Sequence, residues 1–275
     1  MESCGYSAEV ERMEKKDFER IACTVNDHLE IIGIDGLPEI KEGDNIADLF
    51  FKALERKERE LEDGDAIVFT SKIIAKSEGR VIDLSDVMVS SDARRIANEM
   101  DKDPRVVQLV LNDAKEVVRA ERKIIIVETK QGFICANAGV DESNVEEGKA
   151  VSLPENPQRS ASRLKKEIEE RSGKEISVLL ADSFGRAFRD GVTGICIAVS
   201  GIPAVLDRRG EADRFGKIAR ITKEAVVDEI CAAANLVMGE FREGVPVAIV
   251  RGLNIKRDKG EIKDVLLTRE DDLFR

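Results

Sequence analysis

Lys123-Ile124-Ile125-Ile126-Val127-Glu128-Thr129-Lys130-Gln131-Gly132-Phe133-Ile134-Cys135-Ala136-Asn137-Ala138 sets two strand-like runs, residues 123–129 and 132–138, around the turn Lys130-Gln131-Gly132. The pattern predicts a β-hairpin. A hairpin among helices breaks the strand–helix alternation of a doubly wound sheet, so the expected class is α+β, with mixed and antiparallel sheets packed by helices. Downstream, residues 161–171 read as an amphipathic helix with Leu164 and Ile168 inward and Gly173 as its stop. Residues 176–181 form a strand that ends at Asp182, and 194–200 form another. The helix expected over 223–238 places Val227, Ile230, Cys231, Ala234 and Met238 on one stripe, with a closing strand at 245–250. Upstream, helices are expected over 93–100 and, after Pro104, over 106–113. Strands are expected at 29–34 and, after Asp63-Gly64, at 66–70. Asn45, with Asp48 three residues on, caps a helix carrying Ile46, Leu49, Phe50, Ala53 and Leu54.

The 275 residues fit one domain of two lobes or two domains. Residues 1–28 form a charged N-terminal extension with a helix around 8–21, and 29–275 carry the remaining elements. The extension holds many acidic residues and no apolar stretch, unlike a secretory or transit signal, so a cytoplasmic location is expected. No apolar run reaches the ~18 residues that span a bilayer. A net charge of −11 and 4% aromatic residues argue against a nucleic-acid polymer as partner. The five cysteines lack any C-x-x-C, and His28 is the one histidine, which disfavours zinc sites and His-based triads. Catalysis, if present, falls to carboxylates, lysines, arginines and a metal.

Three carboxylates stand out. Asp141 follows the hairpin, Asp182 closes a strand before Ser183-Phe184-Gly185-Arg186, and Glu240 follows the helix stop Gly239. Hard oxygens at such positions suit magnesium or manganese. Their plainer reading is solvation or helix capping. Ser71-Lys72-Ile73-Ile74-Ala75-Lys76 could hold phosphates, or could be a lysine-rich hairpin edge. Arg186 and Arg189 could clamp an anionic substrate, or could pair with Asp182 and Asp190. Asp228-Glu229 reads as a solvated helix face. No G-x-G-x-x-G occurs, and the P-loop-like run from Gly210 to Lys217 ends in Ile218 instead of Ser or Thr, so no P-loop is expected.

Taken in order, these clusters resemble the coenzyme F420-0:L-glutamate ligase family. The resemblance rests on Gly36-Leu37-Pro38-Glu39-Ile40, Ser71 through Arg80, Asn137 through Gly148, Asp182-Ser183-Phe184-Gly185-Arg186, Asp207-Arg208-Arg209-Gly210, Gly239-Glu240 and Val250-Arg251-Gly252-Leu253-Asn254. It implies an uncommon α+β fold without a P-loop and an intertwined homodimer. It also implies GTP as activating nucleotide, L-glutamate and a deazaflavin precursor as substrates, two divalent ions (Mn2+ or Mg2+), and K+. Carried onto this chain, Asp141 and Asp182 would hold one metal, and Ser183 and Glu240 the other. Leu37, Pro38, Glu39, Ile40, Ser71, Lys76 and Asn144 would touch the nucleotide, with the loop Met238, Gly239, Glu240, Phe241, Arg242, Glu243, Gly244 and Val245. Lys76 would stabilise the transferring phosphoryl group. Arg186 and Arg189 are further candidates for binding substrate anions. The other classes left open are a metal-dependent kinase or phosphohydrolase, an amide ligase with another acceptor, and a non-catalytic nucleotide-binding protein.

Overall fold

Apolar runs far apart in the chain become neighbours in one five-stranded sheet. The structure, a computed structural model, describes residues 28–274. In chain order it forms β1 (Glu30–Ile34), α1 (Ile46–Arg56), β2 (Ala66–Thr70), α2 (Ser71–Ser77), β3 (Val81–Asp83), α3 (Ser91–Met100), α4 (Pro104–Asp113) and β4 (Ala114–Glu121). The hairpin strands β5 (Ile124–Thr129) and β6 (Ile134–Ala136) come next, then β7 (Lys149–Val151) and α5 (Pro157–Ser172). The chain continues through β8 (Ser177–Arg186), β9 (Arg189–Ser200), β10 (Leu206–Asp207), β11 (Lys223–Glu224), α6 (Val226–Met238) and β12 (Val247–Arg251). The main sheet has the order β1-β12-β2-β8-β9, and only β2 and β8 run parallel. A separate antiparallel sheet joins β4, β5 and β6. The class is therefore mixed α+β.

Two hydrophobic clusters hold these elements. The first packs the main sheet against α1, α5 and α6, with Phe50 edge-on to Phe69 at 5.5 Å. The second joins α3 and α4 to β5 through Ile96, Val107, Val110, Ile125 and Val127. The local signals act as expected. The Asn45 side chain accepts the Asp48 N–H at 2.8 Å and caps α1, and Gly173 ends α5 in the left-handed region. The Gly132 N–H donates to the Thr129 carbonyl, which closes the β5–β6 hairpin. Cys135, Cys196 and Cys231 are buried and free of disulfides.

Several expectations need correction. Ser71-Lys72 opens a helix and not a hairpin edge, because Ile73 and Ile74 bury their side chains in the first cluster directly after β2. Asp182 does not end its strand, since β9 starts at Arg189 and carries the pairing out to Arg186. Strand β4 was not anticipated. Residues 223–224 pair with β10, so the last long helix begins only at Val226. Asp228 is not on a solvated face, because its carboxylate accepts the Cys196 N–H at 2.9 Å, while Glu229 is exposed. The helix expected around 8–21, with Cys4 and Cys23, lies outside the described residues. His28 is exposed.

Phe50 is fully buried, so Phe50→Ala leaves a cavity in the first cluster. The expected loss is about 3–5 kcal/mol, read as a lowered urea midpoint at unchanged slope. A midpoint within error of the wild type would contradict this packing.

Candidate active site

The polar cleft is built where the parallel pair ends. Thr70 of β2 and Ala181 of β8 are register partners, and the next residues are Ser71 and Asp182. Loops beyond the carboxyl ends of parallel strands are a recurrent place for ligand sites. Here the Ser71 hydroxyl donates to Asp182 Oδ1 at 2.7 Å. The β8–β9 register shifts at this point, Leu180 facing Ala198 and Ala181 facing Cys196, which leaves Ile197 as an extra residue. Such a bulge re-aims the side chains that follow. Asp182 and Ser183 then point to opposite faces of the strand, as alternation requires. Asp182 meets α2, whereas the Ser183 hydroxyl meets Glu240 just past α6, with 2.8 and 2.7 Å to its two carboxylate oxygens. Asn235 Nδ2 donates to Glu240 Oε1 at 2.7 Å from one turn earlier.

Asp141 reaches the same cleft from the second cluster. After β6 the backbone turns through Asn137, Ala138 and Gly139, with φ of +52°, +55° and +71°. A Cβ on Gly139 would lie 2.6 Å from Leu153, so this tight turn needs glycine there. Asp141 then bridges Val151 by two backbone hydrogen bonds of 2.9 and 2.8 Å. Lys72 Nζ donates to Asp141 Oδ2 at 2.5 Å. The Ser143 N–H and hydroxyl donate to Asp141 Oδ1 and Oδ2 at 2.8 and 2.6 Å. Lys76, a buried lysine, donates to the Glu39 carboxylate and to the Asn144 carbonyl. Asn144 Nδ2 reaches the Phe241 carbonyl at 3.3 Å and ties the two loops that wall the cleft.

The two aspartates differ electrostatically. Among protein groups alone, burial pushes the Asp182 carboxyl up to about 6, against the Ser71 hydroxyl and the Lys72 charge, and nearby Asp141 adds to the rise. Burial also opposes ionisation of Asp141, but the Lys72 ammonium and the Ser143 hydroxyl and N–H together hold it below its ordinary value. These are hard oxygen donors with no thiol or imidazole among them, a set that fits magnesium or manganese. Among the described residues no three His, Cys, Asp or Glu side chains group around one point. The acidic groups are instead divided, Asp141 with Asp182 and Glu240 with Ser183.

One cavity of about 660 Å³ collects all of these side chains. Every residue carried over above lines it except Arg186 and Arg189. Those two face each other at the turn of the β8–β9 ribbon and are exposed. Four residues of extended strand carry Arg186 about 13 Å past Asp182. They form no ion pair with Asp182 or Asp190, whose carboxylates accept from the Ser71 hydroxyl and the Gly191 N–H. The expected set omitted Lys72, Ser143 and Asn235, which line the cavity and bind its carboxylates. Lys72 and Ser143 stood inside the quoted motifs; Asn235 carried no signal beyond lying one helical turn before Gly239.

An α+β scaffold that gathers carboxylates, hydroxyls and lysines into one polar cleft, without a P-loop, is that of an enzyme acting on small charged molecules. The chain belongs to the F420-0:gamma-glutamyl ligase family, whose model matches residues 35–252. It is 45% identical over 249 residues to the coenzyme F420:L-glutamate ligase of Methanocaldococcus jannaschii, covering 90% of this chain and 97% of that protein. The ligase of the same name from Methanothermobacter thermautotrophicus is 41% identical, over 90% and 99% of the two chains. That of Archaeoglobus fulgidus is 40% identical, over 90% and 96%. No helix among the described residues is long and apolar enough to cross a membrane.

The raised Asp182 pKa has a consequence for stability. A carboxyl that binds its proton more tightly in the folded chain favours folding at low pH, and that contribution is lost as pH rises from 3.8 to about 6. In chelator-treated protein, Asp182→Asn is therefore expected to melt above the wild type at pH 8 and with it at pH 4. Equal melting temperatures at both pH values would contradict the desolvated carboxylate.

Proposed function

We propose that this chain joins L-glutamate to coenzyme F420-0, a lactyl-diphospho-deazariboflavin, with GTP as the activating nucleotide. The observation that carries the reading is that the family match, residues 35–252, contains both halves of the polar cleft, at 45% identity to a named ligase along nearly its whole length. In the first step the acceptor's terminal carboxylate attacks the γ-phosphorus of GTP, giving an acyl phosphate and GDP. The amine of L-glutamate then attacks the acyl carbon, forming the amide and releasing phosphate.

Each group of the cleft has a place in this scheme. Leu37, Pro38, Glu39, Ile40, Ser71, Asn144 and the loop from Met238 to Val245 hold the nucleotide. The Lys76 ammonium, held by Glu39 and the Asn144 carbonyl, faces the transferring phosphoryl group. Asp141 and Asp182 would hold one divalent ion, Mn2+ or Mg2+, and Ser183 and Glu240 the second, with K+ as a monovalent companion. Bound there, divalent ions supply charge neutralisation on phosphate oxygens. The reading assigns Arg186 and Arg189 no step in the cavity of their own chain. It includes a homodimer, supported by large exposed apolar side chains such as Phe188 (92%) and Phe215 (95%), which a second copy would cover.

The test is mass spectrometry of the deazaflavin precursor incubated with the protein, GTP, Mn2+ and L-glutamate. A mass gain of whole glutamyl units is expected, and Asp182→Ala should abolish it while the protein stays folded by circular dichroism. Lys76→Ala should lower kcat about 100-fold or more. GTP hydrolysis that needs neither acceptor nor amine would point instead to a phosphohydrolase, and an unchanged rate in the Asp182 variant would sink the assignment.

A further inference from the structure

The Lys72 ammonium directs three hydrogen bonds to one turn. Its Nζ donates to Asp141 Oδ2 at 2.5 Å, to the Ser143 hydroxyl at 2.9 Å and to the Ser143 carbonyl at 3.2 Å. The side chain is 22% exposed and lines the cavity beside Ser71, whose hydroxyl holds Asp182. The ammonium thus stands next to Asp141 and within electrostatic reach of Asp182. Asp141 Oδ2 already accepts from Lys72 and from the Ser143 hydroxyl, while Oδ1 accepts the Ser143 N–H.

We infer that Lys72 is a built-in counter-ion that occupies the place of the cation shared by Asp141 and Asp182, and that a divalent ion enters there by displacing it. A magnesium or manganese ion needs a carboxylate oxygen at about 2.0–2.2 Å, so it competes for the lone pair that Lys72 uses. Such an ion would also bring like charge against the ammonium. A lysine suits this role, because its charge sits on a flexible four-carbon stem and can move to a new partner. The new partner is a phosphate oxygen, which rests on the reading of the cleft as a nucleoside triphosphate site. In the ligand-free protein Lys72 keeps two carboxylates together without a metal. With a phosphate present, the ammonium transfers to that anion and Asp141 is released to the cation. Divalent ion and phosphate-bearing ligand therefore bind cooperatively, and Lys72 is the positioning residue that couples them.

Mn2+ binding to the chelator-treated protein, by calorimetry and by the electron paramagnetic resonance signal of free Mn2+, tests this with GDP as the probe. Wild-type protein alone is expected to bind Mn2+ weakly, and K72Q about tenfold more tightly, a coupling of ordinary size. GDP should tighten Mn2+ binding less in K72Q than in the wild type. K72R, which keeps the charge, should behave as the wild type, and K72M offers the same measurement should K72Q fail to fold. D141N separates the two layers of inference. If D141N weakens Mn2+ binding but K72Q and K72M bind no more tightly than the wild type, the role of Lys72 is overturned and the metal reading stands. If D141N binds Mn2+ as the wild type does, both are overturned.

Discussion

The pairing of β2 with β8 is the constraint on which the rest of the molecule depends. It is the one parallel contact in the main sheet, and it brings Ser71 and Asp182 together at 2.7 Å although 111 residues separate them. Parallel neighbours cannot be joined by a tight turn and need a crossover. Here the crossover spans residues 71–176 and includes α2, the second hydrophobic cluster and α5. That long excursion returns Asp141 to the carboxyl ends of β2 and β8. The second cluster is therefore the arm that presents half of the acidic cleft.

Charge is handled locally within a chain whose overall balance is −11. Asp182 is largely withdrawn from water and held by a hydroxyl, and burial disfavours its ionised form even with the Lys72 charge nearby. Asp141 already has that group in Lys72 and stays ionised. Glu240 shares its oxygens with Ser183 and Asn235, both neutral donors. The cleft thus meets its carboxylates with donors and counter-ions of its own. Buried charges are tolerated only when such partners are supplied.

Backbone shape does as much as side-chain chemistry. Three successive left-handed residues swing the chain from β6 toward Asp141, and Gly239, at φ +73°, turns it from α6 into the loop that carries Glu240. At Gly239 a Cβ would fall 2.3 Å from the Glu243 carboxyl carbon, so that loop folds closely on its own start. Asn144 then links the Asp141 loop to the Glu240 loop through the Phe241 carbonyl. The walls of the cleft come from both hydrophobic clusters and meet through side-chain hydrogen bonds, from Lys72 to Asp141 and Ser143, from Lys76 to the Asn144 carbonyl and from Asn144 to the Phe241 carbonyl.

Features whose cause lies within a turn or two of chain were legible in the residues. Asn45 capping Asp48, the Gly132 hairpin, the Gly173 stop and the buried stripe of α6 all follow from spacing alone. The motifs around Asp141, Asp182 and Glu240 were equally visible, because chemistry-bearing residues beside glycines and strand ends stand out locally. What stayed hidden depends on a partner elsewhere. Ser183 to Arg186 looks like a loop until β9 pairs with it, Lys223-Glu224 looks helical until β10 does, and Asp228 looks solvated until Cys196 is placed against it. The ammonium of Lys72 meets Asp141 across 69 residues for the same reason. Caps, turns and stripes are settled by neighbours along the chain, whereas sheet register and burial are settled only when distant segments pack, and it is register that aims the groups of the cleft.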